Sequence, residues 1–283
     1  MTRAVAVVTD STACLPADVV AARGVLVVPL QVVVAGKAYD DELGGGLSGA
    51  AVAEALRRGR PVTTSRPSPA AFLAVYEKAA ADGAAAVVSV HLPAEVSGTH
   101  ESAVLAAREA PLPVEVIDAR TLGLGLGFTV LAAMEAADAG APAPEVAAVA
   151  RDRAARTSAF FYVDTLEHLR RGGRIGTAAA LLGGALAVKP LLHLDSGRIA
   201  PLEKVRTASR ALARLVDLAV AAAGDAPVDL AVQHLDADKR AADVAGRLRE
   251  RVPQARVVLI GEVGPVIGAH VGPGTVGIAV APL

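Results

Sequence analysis

The sequence predicts an α/β fold in two domains: an N-terminal domain with a parallel sheet and helices on both faces, and a C-terminal α+β domain. Three observations carry this. In the first half, short apolar β-branched runs alternate with Ala-rich stretches of helical length, which is the rhythm of strand–helix–strand units. After Pro142 and Pro144 the rhythm changes to hairpins mixed with helices. The length, 283 residues, suits two domains of ordinary size. The boundary is expected near residue 145, giving domains 1–145 and 146–283.

Taken in order, AVAVVTD (4–10) is the first strand. LVVPLQVVV (26–34) is the second, interrupted by Pro29. AAAVVSVHL (84–92) and VEVIDA (114–119) are the third and fourth. Helices are expected at about 48–58, 69–81, 98–110 and 126–139, and another at about 145–156. LEHLRRGGRIG (166–176) ends a helix at Gly172-Gly173. LLHLDSGRIAPLEKV (191–205) reads as a hairpin around an Asp-Ser-Gly turn. Helices at about 207–224 and 236–251 flank the strand VDLAVQHL (228–235), and ARVVLIGEVG and VGIAVAP are the last strands. Residues 263–283 lack formal charge, but their five glycines and three prolines read as strand–turn–strand and not as a membrane span.

Composition narrows the functional classes. With 53% hydrophobic and 20% charged residues, the chain can build a large core and is expected to be ordered. Aromatics are 2% with no Trp, so Ala, Val, Leu and Gly must do the packing. A net charge of −1 and few rings to stack on bases argue against nucleic acid as a partner. The single cysteine, Cys14, excludes an internal disulfide and a cysteine-cage zinc site, and fits a reducing cytoplasm. MTRAVAVVTD is too short and too early-charged for a signal peptide.

Four segments hold candidate sites. In VTTSRPSPAAF (62–72), Ser68-Pro69 reads as an N-cap followed by Pro at the first helical position. Thr64 and Ser65 lie upstream in a loop, where they fit either a ligand-facing cluster or ordinary turn residues. In SVHLPAEVSGTHES (89–102), Ser97-Gly98-Thr99 opens a helix. That position suits an anion, and Gly98 would admit a ligand oxygen to the backbone; the plainer reading is that Ser97 caps the helix. His270, in the Gly-rich VIGAHVGPG connection, is either a donor to a carboxylate or phosphate or a solvated turn residue. Arg170, Arg171 and Arg174 form a basic patch, of which Arg174, past the glycines, is the better candidate for contacting a partner. Asp40-Asp41-Glu42 reads as an exposed acidic loop.

Several enzyme signatures are absent. There is no G-x-S-x-G, no Walker A and no H-E-x-x-H; Gly123, Gly125 and Gly127 miss the G-x-G-x-x-G spacing.

In one order, VVTDSTACLP, TTSRPSP, HLPAEVSGTHESA, VEVIDARTLGLGLG, LRRGGRIG, KPLL…GRIAPLEKVRTASRA and VIGAHVGPGTVGI resemble the DegV family, from about residue 5 to the C-terminus. That family includes or resembles the fatty-acid-binding subunits of bacterial fatty acid kinase. The resemblance implies a ligand between the domains: a long-chain fatty acid, carried for phospholipid synthesis by a non-catalytic protein. No metal or cofactor is implied. Thr64 (with Ser65) and Ser97 (with Gly98 and Thr99) would hold the carboxylate, and His270 would join them. Arg174 and Arg206 would contact the kinase subunit or, transiently, a membrane surface. Where the family usually has Gln, this chain has Arg66, a positive charge beside the proposed carboxylate.

The energetics fit that implication. Charge-assisted hydrogen bonds offset the cost of burying a carboxylate. A tail of about 14 methylenes contributes on the order of 11 kcal/mol gross, before association costs. Phe128, Phe160 and Phe161 are candidate tunnel liners or plain core. The competing readings are a small-molecule enzyme using the hydroxyl clusters with His270 as acid or base, and a lipid sensor without a kinase.

Overall fold

The computed structural model describes residues 4–41, 46–181 and 189–283. The apolar run Val5–Asp10 forms β1; a 3-10 turn at Ser11–Ala13 leads into α1 (Ala17–Arg23). Then follow β2 (Leu26–Val28), β3 (Gln31–Val34), β4 (Lys37–Asp40), α2 (Gly49–Arg57), β5 (Val62–Ser65), α3 (Pro69–Ala81), β6 (Ala86–His91), α4 (Thr99–Ala107), β7 (Val114–Asp118), α5 (Leu124–Asp138) and α6 (Ala143–Arg156). The second half runs β8 (Ser158–Tyr162), α7 (Glu167–Arg171), a 3-10 segment Gly176–Leu181, β9 (Lys189–Asp195), β10 (Arg198–Val205), α8 (Ala208–Ala223), β11 (Val228–His234), α9 (Asp238–Arg251), β12 (Ala255–Glu262), α10 (Pro265–Val271) and β13 (Val276–Pro282).

Three sheets form among the described residues, with strand orders β2-β1-β6-β7, β10-β9-β8-β13-β11-β12 and β4-β3-β5. The first is wholly parallel. On one face it packs Val8, Val28 and Val87 against Phe72 and Tyr76 of α3 and Ala103 of α4. On the other, Val7, Val88 and Val90 meet α5 and α6. The expected helices on both faces are therefore present. The six-stranded sheet is mixed, with only β11 and β12 parallel. It packs α8 and α9 on its outer face. Its inner face contributes Ala231, Ala279 and Ala281 to the core that α5 and α6 share with the parallel sheet. The layers thus read helix, sheet, helix, sheet, helix. Small residues at the inner contacts let the helices approach both sheets closely.

Local chemistry explains many boundaries. Ser68 caps α3 by accepting from Ala71 N at 3.2 Å, with Pro69 at the first helical position. Thr207 caps α8 through Arg210 N at 3.3 Å. The β9–β10 hairpin turns at Ser196 and Gly197, both at positive φ, as a two-residue hairpin loop of the primed type requires.

Several expectations are corrected. The run 26–34 is two strands in two sheets, because Pro29 lacks the N–H a continuing strand needs. Thr64 and Ser65 lie on β5, paired antiparallel to β3, and not in a loop. Residues 265–271 form a helix where strand–turn–strand was expected; Pro265 initiates it at the first turn. Asp40 closes β4, whereas Asp41 is buried at 3% exposure; Glu42 lies outside the described residues. Strand β8, with side chains SAFFY, carries no alternation and was not anticipated.

Candidate functional site

Strand β5 pairs Thr64 with Val32 and Ser65 with Gln31 of β3. The period of two turns Thr64 inward and leaves Ser65 more exposed. Thr64 Oγ1 lies 2.8 Å from Nε2 of His270. His270 sits in the last turn of α10, a helix packed against α2, α7, β3 and β5. Asp41 anchors the opposite end, accepting from Val266 N at 3.4 Å and from Ser11 Oγ at 2.9 Å.

Burial, with a smaller contribution from the positive charge of Arg174, pushes the His270 pKa down to about 4. The ring is therefore a neutral imidazole near neutral pH. Its Nδ1 is sealed, without a hydrogen-bond partner among the described residues. A Cβ on Gly172 would overlap that edge of the ring, so the end of α7 needs glycine to approach it.

The loop after β6 supplies the other hydroxyl. A turn closes through Val96 N and Ser97 N, both donating to Pro93 O. Gly98, not Ser97, is the N-cap of α4. Ser97 Oγ instead accepts from Thr99 N at 3.3 Å and lies 2.9 Å from Thr99 Oγ1. Arg174 spans this loop and the end of α7, donating from Nε to Val96 O at 2.9 Å and from Nη1 to Gly172 O at 2.6 Å. From the strand side, Arg66 reaches across to Glu101 at 3.1 Å. Its guanidinium lies where a Cβ on Gly98 would be, so Arg66 occupies the approach to that backbone.

One cavity of about 460 Å³ gathers these groups, a volume typical of small-molecule sites. Thr64, Ser65, Arg66, Ser97, Gly98, Arg174 and His270 all line it. Its other walls are mostly apolar: Leu122, Phe160, Phe161, Leu169, Leu194, Ile199, Ile267 and Ile278. Thr99 is fully buried behind Ser97 and does not line it. Arg206 is exposed on the turn between β10 and α8, away from it. Phe128 lies in the core beside α6 and lines a different groove.

Sequence reasoning missed several lining residues. Gln233 of β11 lines the cavity and accepts from Leu124 N, at the start of α5, at 2.6 Å. A polar residue directly after the apolar run LAV (230–232) was the available signal. Also missed was a buried chain in the parallel sheet: Asp10 Oδ2–His91 Nδ1 at 3.0 Å, His91 Nε2–Ser89 Oγ at 2.6 Å, and Ser89 Oγ–Tyr76 OH at 3.0 Å. Its order is that of an acid–base–nucleophile triad. All four residues are 0% exposed, so no substrate reaches Ser89, and the chain is structural. Asp10 also accepts from Thr12 N and Leu92 N, fixing the turn after β1 and the end of β6, where Thr12 and Leu92 line the cavity.

Among the described residues, no group of three or more His, Cys, Asp or Glu side chains is placed to hold a metal ion. None of their helices is long and apolar enough to cross a membrane. Chemically, the site offers hydroxyls, a neutral imidazole and two guanidinium groups beside apolar walls. Such a set suits an amphipathic anion.

Fold and cavity together define an α/β protein that encloses a largely apolar cavity, with polar groups brought in from both halves of the chain. A family model described as "Uncharacterised protein, DegV family" matches residues 4–283, and the chain belongs to that family. A DegV domain-containing protein of Streptomyces coelicolor is 56% identical over 281 residues, covering 99% of each chain. Among solved structures, a DegV family protein from Thermus thermophilus, described by its fatty acid binding, superposes with a TM-score of 0.93. It is 35% identical, with 99% of this chain and 100% of that one covered. DegV of Bacillus subtilis, described as a fatty acid binding protein, has a TM-score of 0.91 at 33% identity, with 99% and 100% covered.

Proposed function

We propose that this protein binds a long-chain fatty acid in the 460 Å³ cavity, with the carboxylate at Thr64 and Ser97 and the tail along the apolar walls. The observation that carries this is the meeting, in one mainly apolar cavity, of hydroxyls from β5 and from the loop before α4 with a neutral imidazole from α10. The fatty acid binding described for the Thermus and Bacillus proteins supports it.

The hydrogen bonds allow a consistent proton assignment. With His270 as the Nε2–H tautomer, Nε2 donates to Thr64 Oγ1, and the Thr64 hydroxyl proton is free for the ligand. Ser97 Oγ accepts from Thr99 N and from the Thr99 hydroxyl, which leaves its own proton for the ligand as well. Thr99 thus acts through Ser97. Arg66 and Arg174 complement the charge, and His270 contributes a neutral donor.

The chain performs no chemistry of its own in this reading. A separate ATP-dependent kinase phosphorylates the presented carboxylate, in keeping with the lack of a nucleotide motif in this sequence. Arg174 beside the cavity and exposed Arg206 are the proposed contacts with that kinase or with an anionic membrane surface. Domains 1–145 and 146–283 would then each supply part of the ligand site.

The test is extraction of the purified protein with organic solvent, followed by mass spectrometry of the extract. A bound fatty acid, and a raised melting temperature when fatty acid is added back to delipidated protein, is the expected result. No fatty acid and no shift would exclude the carrier. Turnover of a small substrate without a partner protein would favour an enzyme instead.

A further inference from the structure

Among the residues of β8, β11 and β13 that line the cavity, Gln233 alone is polar. The sheet sets Gln233 opposite Gly277 of β13, and Gly277 opposite Phe161 of β8. All three line the cavity. The next positions on that face are Ala231, Ala279 and Ala159, so small apolar side chains continue it. Gly277 has no side chain, which leaves a trough between Gln233 and Phe161. Its backbone is not at positive φ, and a Cβ there would make ordinary contact with Phe161 at 3.4 Å, so neither conformation nor packing demands glycine.

The amide of Gln233 is held in one orientation. Adjacent N–H groups at the start of α5 are both used: Gly123 N donates to Thr12 O at 2.8 Å, and Leu124 N to Gln233 Oε1 at 2.6 Å. Because Leu124 N needs an acceptor, the oxygen faces α5 and the amide cannot flip. Gly123 sits at φ +62°, and a Cβ there would lie 2.3 Å from Gln233 Oε1. Glycine is what lets the helix start close on this side chain.

Capping Leu124 uses only the oxygen half of the amide. Gln233 is 7% exposed, and its Nε2 is buried without a hydrogen-bond partner among the described residues. The Cys14 thiol lies beside it, but sulfur is a weak acceptor, and this one already receives Gly264 N at 3.4 Å. Two threonines of the cavity wall are committed elsewhere: Thr12 Oγ1 donates to Asp10, and Thr275 Oγ1 to Val271 O and Gly272 O. A buried donor left unpaired is costly, and a plain hydrocarbon tail leaves it so.

Building on the fatty acid reading above, we propose that Gln233 is a specificity residue for the tail. Its Nε2–H donates to a keto or hydroxyl oxygen at one depth of the acyl chain, which makes the cavity selective for mono-oxygenated long-chain acids with the oxygen at that position.

Stearate and a positional series of oxostearates test this on delipidated full-length protein, by displacement of a fluorescent fatty acid. Every isomer loses the same carbonyl hydration on entry, so differences among them report what meets the oxygen inside. One isomer should bind about tenfold more tightly than those with the oxygen nearer either end. Gln233→Met keeps the length of the side chain without the donor and should erase that maximum. Melting temperature establishes that this variant is folded, and the wild-type profile decides if it is not. Stearate binding with a flat isomer profile, or a maximum that survives Gln233→Met, overturns the inference and leaves the carrier reading in place. Binding of neither stearate nor any isomer overturns both.

Discussion

His270 Nε2 and Thr64 Oγ1 stand 2.8 Å apart although 206 positions separate them in the chain. The contact ties the C-terminal helix α10 to the small antiparallel sheet of the N-terminal half. Because the imidazole is largely buried and neutral, it can share a hydrogen bond with Thr64 without adding a charge to the cavity. An added charge would strengthen the head group's hold but carry a larger desolvation cost.

If Thr64 and Ser97 hold a carboxylate, Thr64→Val and Ser97→Ala each remove one charge-assisted hydrogen bond, worth about 1.5–3 kcal/mol. Each should weaken fatty acid binding roughly 10- to 100-fold. Displacement of a fluorescent fatty acid from delipidated protein measures this. Unchanged affinity in the double variant would move the carboxylate elsewhere.

The pH dependence of stability has two opposed contributions. His270 has its folded pKa lowered to about 4. Its contribution is full above the unfolded value and is lost as pH falls from about 6.5 toward 4, by about 3 kcal/mol. Asp41 has its folded pKa raised to about 6, mainly by burial. The folded state then holds the proton more tightly, so its contribution is present on the acid side and is lost as pH rises from about 4 to 6, by a similar amount. Together they nearly cancel in that window. Asp41→Asn should therefore expose a stability that falls on acidification, and His270→Gln one that rises. Urea midpoints measured across this window distinguish the two slopes.

Arg66→Gln should barely change the melting temperature. Its partner Glu101 is exposed, and such pairs contribute at most about 1 kcal/mol. Arg66 lines the cavity, however, so the variant should bind fatty acid more weakly and with less sensitivity to salt. Equal salt slopes for variant and wild type would show that the guanidinium does not sense the head group.

Asp229 is buried at 1% exposure and holds both Arg153 and Arg256. Asp229→Ala leaves Arg153 a buried cation without its carboxylate partner. The expected loss is about 3–5 kcal/mol, or on the order of 10 °C in melting temperature. A thermal melt followed by circular dichroism reads it.

Elements with strong local signals were legible. The Ser68-Pro69 helix start, the Ser196-Gly197 hairpin and the parallel strands flanked by helices all form where propensity and turn chemistry place them. What failed was context. Pro265-Val-Ile-Gly-Ala-His-Val has the punctuation of a turn, and it becomes helical because Asp41 receives its N-terminal N–H and Ala53, Leu169 and Val32 surround its apolar face. The acidic run at 40–42 looks solvated in isolation, yet Asp41 is buried as the partner of that helix. Both errors have one cause: each segment's conformation depends on the other, and they lie more than 200 positions apart.

By itself, the sequence determined the α/β class, most helix boundaries and the family, because these rest on periodicity, capping and ordered motifs that each act over a few residues. Only the tertiary structure decided that Thr64, Ser97, Arg174 and His270 line one cavity, that Thr99 stands behind Ser97, and that Phe128 lies elsewhere. It also decided that a well-formed Asp–His–Ser chain is sealed in the core. The physical reason is that burial and cavity shape arise from packing between distant segments, and no local pattern encodes which side chains that packing will leave facing an open space.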